Sequence, residues 1–301
     1  MWRADVINSS LALGFARRTT TSGLCYSCGL EEEIAEPKTQ IISAHCEKRS
    51  HQRMKPFRVL DPTLLGQVPR GFCALAMMTK APQAGRVKTR LVPPLSPDEA
   101  AELNKCFLRD TAPAISNATS DKNACAIAVY TPVGSEQAYA DILPADFSLL
   151  PQRGEKFGER LCLAAEDLFK CGFESVCLID SDSPTVPAEN FAKAIDLLNT
   201  SADRVVLGPS DDGGYYLIGL KKPHRQLFEA IDWSTERVFD QSMQRARAIG
   251  LEVKLLPTGY DVDDVLSLRR LCNELMRDNV RRDIAPHTRK FVQELIAQKK
   301  L

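Results

Sequence analysis

Two acidic residues follow a short apolar segment in the second half of the sequence. The segment Ser175–Ile179 is rich in Val, Leu and Ile, and Asp180 and Asp182 come just after it. Its composition predicts a buried strand of a parallel sheet, and ligands of open α/β sheets bind outside the carboxyl ends of the strands. Two carboxylates there could hold Mg2+ or Mn2+ and leave positions for substrate phosphates. The alternative is that Asp182 only caps the following helix.

A basic loop follows the first predicted strand, at 72–78. Between residues 79 and 91 the chain carries one glycine and four basic residues, namely Lys80, Gly85, Arg86, Lys88 and Arg90. Such a loop could fold around a polyphosphate, whose charge Lys80, Lys88 and Arg90 would neutralise. It has neither the spacing of a Walker loop nor the glycine triplet of a dinucleotide fold. The alternative is an ordinary solvated surface.

A glycine-rich loop between two predicted strands carries a second acidic pair. Asp211 and Asp212 precede Gly213 and Gly214. Paired glycines allow a ligand to approach the backbone closely, and the carboxylates could hold sugar hydroxyls or act as a base. The alternative is a simple turn between adjacent strands, because Asp-Gly is a strong turn signal.

A third acidic cluster lies between the last predicted strand and the helix that follows it. The cluster contains Asp261, Asp263 and Asp264. The functional interpretation makes Asp263 a further ligand of an ion bound at Asp182. The alternative is that Asp263 or Asp264 caps the helix.

From residue 71 onward, apolar segments of strand length alternate with amphipathic segments of helical length. Strands are predicted at 72–78, 124–130, 147–150, 175–179, 204–208, 215–220 and 252–256, and helices at 96–111, 157–171, 188–199, 235–249 and 264–276. This alternation predicts an α/β fold with a mostly parallel sheet and helices on both faces, in a single domain at 71–282. A last helix is expected at 283–301.

Composition excludes several classes of function. The 301 residues include 39 basic and 39 acidic ones, so no net charge attracts the protein to nucleic acid or to anionic lipid. No apolar run reaches the roughly 18 residues that a membrane span needs. Many of the ten cysteines lie in apolar segments, where a free thiol acts as a small hydrophobic group, and this favours a reducing, cytoplasmic location.

The first seventy residues lack a sustained hydrophobic period and are predicted to form an irregular, poorly ordered extension (1–70). Residues 6–30 contain no acid, which leaves organellar targeting as an alternative, and Met54 is an alternative start. Four possible zinc ligands lie in the extension, namely Cys25, Cys28, His45 and Cys46. Adjacent His and Cys residues are hard to aim at one tetrahedral ion, so no zinc site is expected.

Eight short motifs resemble one known family when they are taken together and in order. They are KAP at 80–82, GRVKTRL at 85–91, GER at 158–160, DSDSP at 180–184, GP at 208–209, DGGYYLIG at 212–219, WST at 233–235 and DVD at 261–263. Over residues 71–272 the sequence resembles the bacterial DUF2064 family, often labelled a glycosyltransferase family, within the nucleotide-diphospho-sugar transferase (GT-A) superfamily. In two places it departs from the family pattern. Asp180 stands where Gly is usual, and Asp263-Asp264-Val265 stands where Asp-Thr-Pro is usual.

The resemblance implies a GT-A-like fold, a nucleotide-sugar ligand and a divalent cation. With the loops above, it predicts a metal-dependent glycosyltransferase that uses a nucleotide-diphospho-sugar donor and a small-molecule acceptor. The expected metal ligands are Asp180, Asp182 and Asp263; the expected catalytic residues are Asp211 and Asp212; the expected substrate-binding residues are Lys80, Gly85, Lys88, Arg90, Gly213 and Gly214. One alternative is a nucleotidyltransferase that joins a nucleoside triphosphate to a phosphorylated small molecule and releases pyrophosphate. Another is a non-catalytic nucleotide-binding scaffold.

Overall fold

The structure is a computed structural model that describes residues 57–277 and 280–300. Its eight strands are β1 (Arg58–Val59), β2 (Cys73–Lys80), β3 (Ala124–Thr131), β4 (Ser148–Pro151), β5 (Ser175–Ile179), β6 (Arg204–Pro209), β7 (Tyr215–Leu220) and β8 (Glu252–Leu255). They form one sheet in the order β1-β4-β3-β2-β5-β7-β6-β8. All neighbouring strands are parallel except where β7 pairs with β5 and β6.

Six α-helices connect or follow these strands. They are α1 (Pro97–Thr119), α2 (Phe157–Lys170), α3 (Ala188–Leu198), α4 (Val238–Ala248), α5 (Val265–Leu275) and α6 (Pro286–Ala297). Side chains of α1 and α3 pack on one face of the sheet and those of α2 and α4 on the other, while α5 and α6 pack with the first half of α1. The predicted α/β fold with helices on both faces is therefore confirmed.

The direction of β7 decides which loops meet. Because β7 is antiparallel to β5, its first residue, Tyr215, lies at the edge where β5 and the parallel strands end. The loop between β6 and β7 therefore joins the loops after β2, β5 and β8 at the carboxyl edge of the sheet. This is the edge at which open α/β sheets bind ligands.

The structure differs from the sequence-based expectation in two places. Helix α1 continues past its predicted end at residue 111, and past Pro113, to Thr119, because Ile115 and Ala118 on its last turns are buried in the core. The sheet also begins before residue 71, since β1 pairs in parallel with β4 and Leu60 is buried. A two-residue strand has no period that a sequence pattern could reveal.

Several expectations fall on the part of the chain that the structure does not describe. Residues 1–56 lie outside the described residues. They include the alternative start at Met54 and the four possible zinc ligands, Cys25, Cys28, His45 and Cys46. The prediction of an irregular extension likewise cannot be compared with the structure over residues 1–56. The seven cysteines in the described residues are all free. None of the helices in this part of the chain combines the length and the apolar character needed to cross a bilayer.

Candidate functional site

The loops at the carboxyl edge are joined to one another by backbone hydrogen bonds. The N–H of Val262, in the loop after β8, donates to the carbonyl of Asp182, in the loop after β5, over 3.0 Å. The N–H of Asp211 donates to the carbonyl of Gly259 over 3.1 Å, which connects the β6–β7 loop to the loop after β8. Acids that are distant in the sequence are thus held close together in one framework.

The centre of this framework is the side chain of Lys88, which comes from the basic loop after β2. Its Nζ lies 2.9 Å from Asp182 Oδ1 and 3.1 Å from Asp263 Oδ1, and it donates to the carbonyl of Val262 over 2.7 Å. The Phe107 ring covers it, with its centroid 5.5 Å from Nζ. Only 5% of the Lys88 side chain is exposed, against about a quarter of each carboxylate side chain.

The charges in this cluster support one another. Burial alone would lower the pKa of Lys88, but the carboxylates of Asp182 and Asp263 outweigh it and the pKa is raised. Burial would likewise raise the pKa of Asp263, but the ammonium of Lys88 holds it below its usual value. Lys88 also has a left-handed backbone, with φ 48° and ψ 38°. For a residue with a Cβ this conformation costs about 1–2 kcal/mol, so the side-chain contacts must offset it.

Asp180 lies deeper than the other acids of the site. Its side chain is buried, and the Ser183 hydroxyl donates to Asp180 Oδ2 over 2.6 Å. Burial, with a smaller contribution from the nearby charge of Asp182, raises the pKa of Asp180 to about 7. Asp180 is therefore less accessible to a ligand than Asp182 or Asp263.

The three expected metal ligands do not fit a divalent cation as they stand. Asp182 and Asp263 converge on Lys88 Nζ, and Asp180 is turned to Ser183. Among the described residues, no group of three or more His, Cys, Asp or Glu side chains is arranged to hold a metal ion. Binding of Mg2+ or Mn2+ remains a prediction from the sequence.

Two of the three other cations of the basic loop lie at the surface. Arg86 and Arg90 are exposed, and Lys80 is half-buried at the end of β2. Gly85 lies in the turn that the N–H of Arg86 closes on the carbonyl of Gln83, over 2.9 Å. Of the expected phosphate-binding residues, Lys88 is therefore turned inward to the acids, while Arg90 is exposed at the same edge of the sheet.

The β6–β7 loop is a tight turn whose polar groups largely satisfy one another. Asp211 forms an ion pair with Arg270 of α5, and Asp212 Oδ1 accepts the N–H of Gly214 over 3.0 Å. Gly213 has φ +87°, and a Cβ there would come within 2.1 Å of the carbonyl oxygen of Glu236. The paired glycines thus serve the turn and its packing on the following segment. Catalytic and substrate-binding roles for residues 211–214 remain predictions.

The acidic cluster after β8 divides into residues with different environments. Asp263 contacts Lys88, whereas Asp264 caps α5 by accepting the N–H of Ser267 over 2.8 Å. Asp261 is buried, and the Ser210 hydroxyl donates to its Oδ1 over 3.4 Å. The helix-cap interpretation therefore holds for Asp264, while metal binding by Asp263 stays a prediction.

The GER motif at 158–160 is accounted for by structure at the start of α2. A Cβ on Gly158 would come within 2.2 Å of Trp233 Nε1, so the motifs GER and WST pack directly on each other. Glu159 Oε2 accepts the N–H groups of Glu155 and Lys156. These contacts agree with the predicted helix at 157–171, in whose first turn the motif lies.

Some neighbours of the site could not be found from the sequence. Phe107 lies in the middle of α1, and Arg270 lies on α5, where its guanidinium stacks on the Tyr260 ring with Cζ 3.8 Å from the centroid. The carbonyl of Val262 also contributes, through the backbone alone. Residues of these types occur all along the chain, and only the tertiary structure selects these three.

Comparison with known proteins identifies the class of fold and then the family. A family model described as "Uncharacterized protein conserved in bacteria (DUF2064)" matches residues 114–235. The crystal structure of a "putative nucleotide-diphospho-sugar transferase" from Desulfovibrio desulfuricans G20 is 30% identical, covers 76% of this chain and 96% of that chain, and has a TM-score of 0.66. The fold is that of nucleotide-diphospho-sugar transferase-like proteins. Within this class, the chain belongs to the DUF2064 family.

Two further solved structures match at lower similarity. A 4-diphosphocytidyl-2C-methyl-D-erythritol synthase from Anaerococcus prevotii DSM 20548 is 15% identical, covers 68% of this chain and 99% of that chain, and has a TM-score of 0.46. Rv0371c from Mycobacterium tuberculosis H37Rv, in complex with manganese, is 16% identical, covers 67% and 97%, and has a TM-score of 0.41. These TM-scores are too low to support an inference about this chain. No curated protein sequence matches significantly.

Proposed function

We propose that this protein is a glycosyltransferase that uses a nucleotide-diphospho-sugar donor and a small-molecule acceptor. The observation that carries the proposal is its 30% identity to the Desulfovibrio protein over 96% of that chain. A second support is the grouping of a basic loop and two acidic loops at the carboxyl edge of the sheet, where α/β proteins bind ligands.

Departure of a nucleoside diphosphate places negative charge on its β-phosphate, and the donor site must stabilise that charge. The Lys88 cluster is unsuited to this task, because one ammonium and the two carboxylates of Asp182 and Asp263 leave a net negative charge. The exposed guanidinium groups of Arg86 and Arg90 suit it better, since guanidinium matches phosphate geometry. In the proposed mechanism, Arg86 and Arg90 bind the diphosphate of the donor and stabilise its negative charge.

The other half of the reaction needs groups that hold the sugar and accept the proton of the acceptor hydroxyl. We assign this role to Asp212, which directly precedes the paired glycines of the β6–β7 loop, while Asp211 forms an ion pair with Arg270. Asp212 accepts a hydrogen bond from the N–H of Gly214, and a carboxylate can accept several hydrogen bonds at once. Metal dependence is not part of this proposal, because two of the expected ligands are engaged with Lys88.

Thermal unfolding in the presence of ligands tests the donor class. The full chain is heated with nucleoside diphosphates, nucleoside triphosphates and nucleotide sugars, each with and without Mn2+. A ligand at about one hundred times its Kd adds about 2.7 kcal/mol of stability, which is a visible shift. We expect a nucleotide sugar to give that shift in the parent, a smaller one in Arg86→Gln and Arg90→Gln, and an unchanged one in the control Arg109→Gln, whose partner is Glu102 on the same helix.

The other outcomes are equally informative. A shift with triphosphates alone would favour nucleotidyl transfer with release of pyrophosphate, and the products of a reaction with the identified ligand would then be analysed for pyrophosphate. Stabilisation without turnover of any donor would favour the non-catalytic scaffold. No shift with any nucleotide would overturn the proposal.

A further inference from the structure

We propose that Lys88 is the built-in counter-ion of Asp182 and Asp263, occupying the position between the two carboxylates that a divalent cation would need. The inference goes beyond the proposed function, because it concerns the resting charge balance of the site and does not depend on which donor is used. Lys88 is in this view a positioning residue, which acts through the loops that it connects.

The hydrogen bonds of the ammonium group are the first argument. A lysine ammonium has three N–H donors. Lys88 Nζ has three acceptors, the carboxylate oxygens of Asp182 and Asp263 and the carbonyl of Val262, at 2.9, 3.1 and 2.7 Å. No donor is left for a substrate phosphate, and the side chain is 5% exposed.

The geometry of the carboxylates is the second argument. The Oδ1 atoms of Asp182 and Asp263 both point at one position, as the ligands of an ion would, and the atom in that position is Lys88 Nζ. A divalent cation between the same oxygens would lie at about 2.0–2.6 Å from each of them. It would then lie against the ammonium, and like charges at such a distance repel strongly in a site with little solvent. The ion and Lys88 therefore exclude each other here.

The third argument is that Lys88 connects three separate loops of the site. The residue belongs to the loop after β2, Asp182 to the loop after β5, and Asp263 to the loop after β8. A single side chain thus fixes three loops at the edge where the ligand is expected. It does so without a dissociable ion, so the arrangement persists when metal is absent.

Binding of Mn2+ to the full chain without nucleotide tests the proposal. Electron paramagnetic resonance measures the free Mn2+ during titration of the parent, Asp182→Asn and Asp263→Asn. We expect the three proteins to bind Mn2+ to the same extent. Removal of a true metal ligand would weaken binding by at least about tenfold, as even outer-shell changes often do. The proposal is overturned if the parent binds Mn2+ and both variants lose that binding.

A second measurement uses the parent alone, and so does not depend on the folding of a variant. Lysine acylation followed by mass spectrometry compares Lys88 with Lys222, whose side chain is 66% exposed. We expect Lys88 to be strongly protected and its protection to be unaffected by Mn2+. Exposure of Lys88 on addition of Mn2+ would mean that the ion displaces it, which contradicts the proposal. Neither measurement involves a nucleotide, so failure here is distinct from failure of the proposed function.

Discussion

Lys88 Nζ lies 2.9 Å from Asp182 Oδ1, which brings the loop after β2 into contact with the acidic end of β5. Because the ammonium is buried and its partners are partly buried, its removal leaves carboxylates without a counter-charge. Breaking a buried ion pair in this way costs about 3–5 kcal/mol, and the partial exposure of the acids favours the lower figure. We therefore expect Lys88→Met to lower the free energy of unfolding in urea by about 3 kcal/mol.

The same contact can be isolated with a double-mutant cycle. Asp263→Asn in the Lys88→Met background removes one of the uncompensated charges, so the double variant should recover part of the lost stability. The exposed Lys222→Met serves as the control and should change stability by no more than about 0.5 kcal/mol. Strictly additive effects of Lys88→Met and Asp263→Asn would contradict the contact.

Asp263 and its neighbour Asp264 should respond differently to substitution. Asp264 caps α5, and loss of an N-cap costs about 1 kcal/mol. Asp264→Ala should therefore lower the unfolding free energy by about that amount, while Asp264→Asn, which keeps a capping oxygen, should cost much less. Thermal unfolding of the two variants measures this difference. Equal losses in Ala and Asn would show that the charge matters and not the cap.

Gly158→Ala should destabilise the protein, although alanine is normally the better residue in a helix. The added Cβ would come within 2.2 Å of Trp233 Nε1, and overpacking of this kind costs about 1–3 kcal/mol. In a Trp233→Leu background the same substitution should cost less, because the indole is gone. Urea unfolding of the four proteins of this cycle makes the comparison. A cost of Gly158→Ala that is independent of residue 233 would refute the packing argument.

Asp110 should make stability dependent on pH. Its carboxylate, on α1, accepts the N–H groups of His287 and Thr288 at the start of α6, and burial raises its pKa above 3.8. Between 3.8 and that raised pKa the folded state binds more protons than the unfolded state, so this residue's contribution to stability falls as pH rises.

Asp110→Asn removes the charge and keeps an acceptor oxygen. Its stability relative to the parent should therefore be higher at about pH 7 than at about pH 4. Thermal unfolding of both proteins at the two pH values gives this difference. A relative stability that falls with pH would mean that the carboxylate is favoured in its charged form.

The sequence predicts strands better than it predicts contacts between loops. The bounds of β5 and β7 follow from apolar runs closed by turn residues, and α1 begins close to its predicted start, where Ser96 and Glu99 form a capping box. The predicted end of α1 at residue 111 is too early, because tertiary packing keeps the helix intact past Pro113. The inward direction of Lys88 was not foreseen, because it depends on where Asp182 and Asp263 lie in space.

The central position of β5 has a consequence for motion at the site. This strand lies between β2 and β7, and all five of its residues are buried, so its amides should exchange with solvent only when the whole domain unfolds. The exposed Arg86 and Arg90 belong to a surface loop, where opening requires much less free energy. The strand that leads to Asp180 and Asp182 should therefore stay fixed, and any movement that accompanies ligand binding should occur in the loop that carries Arg86 and Arg90.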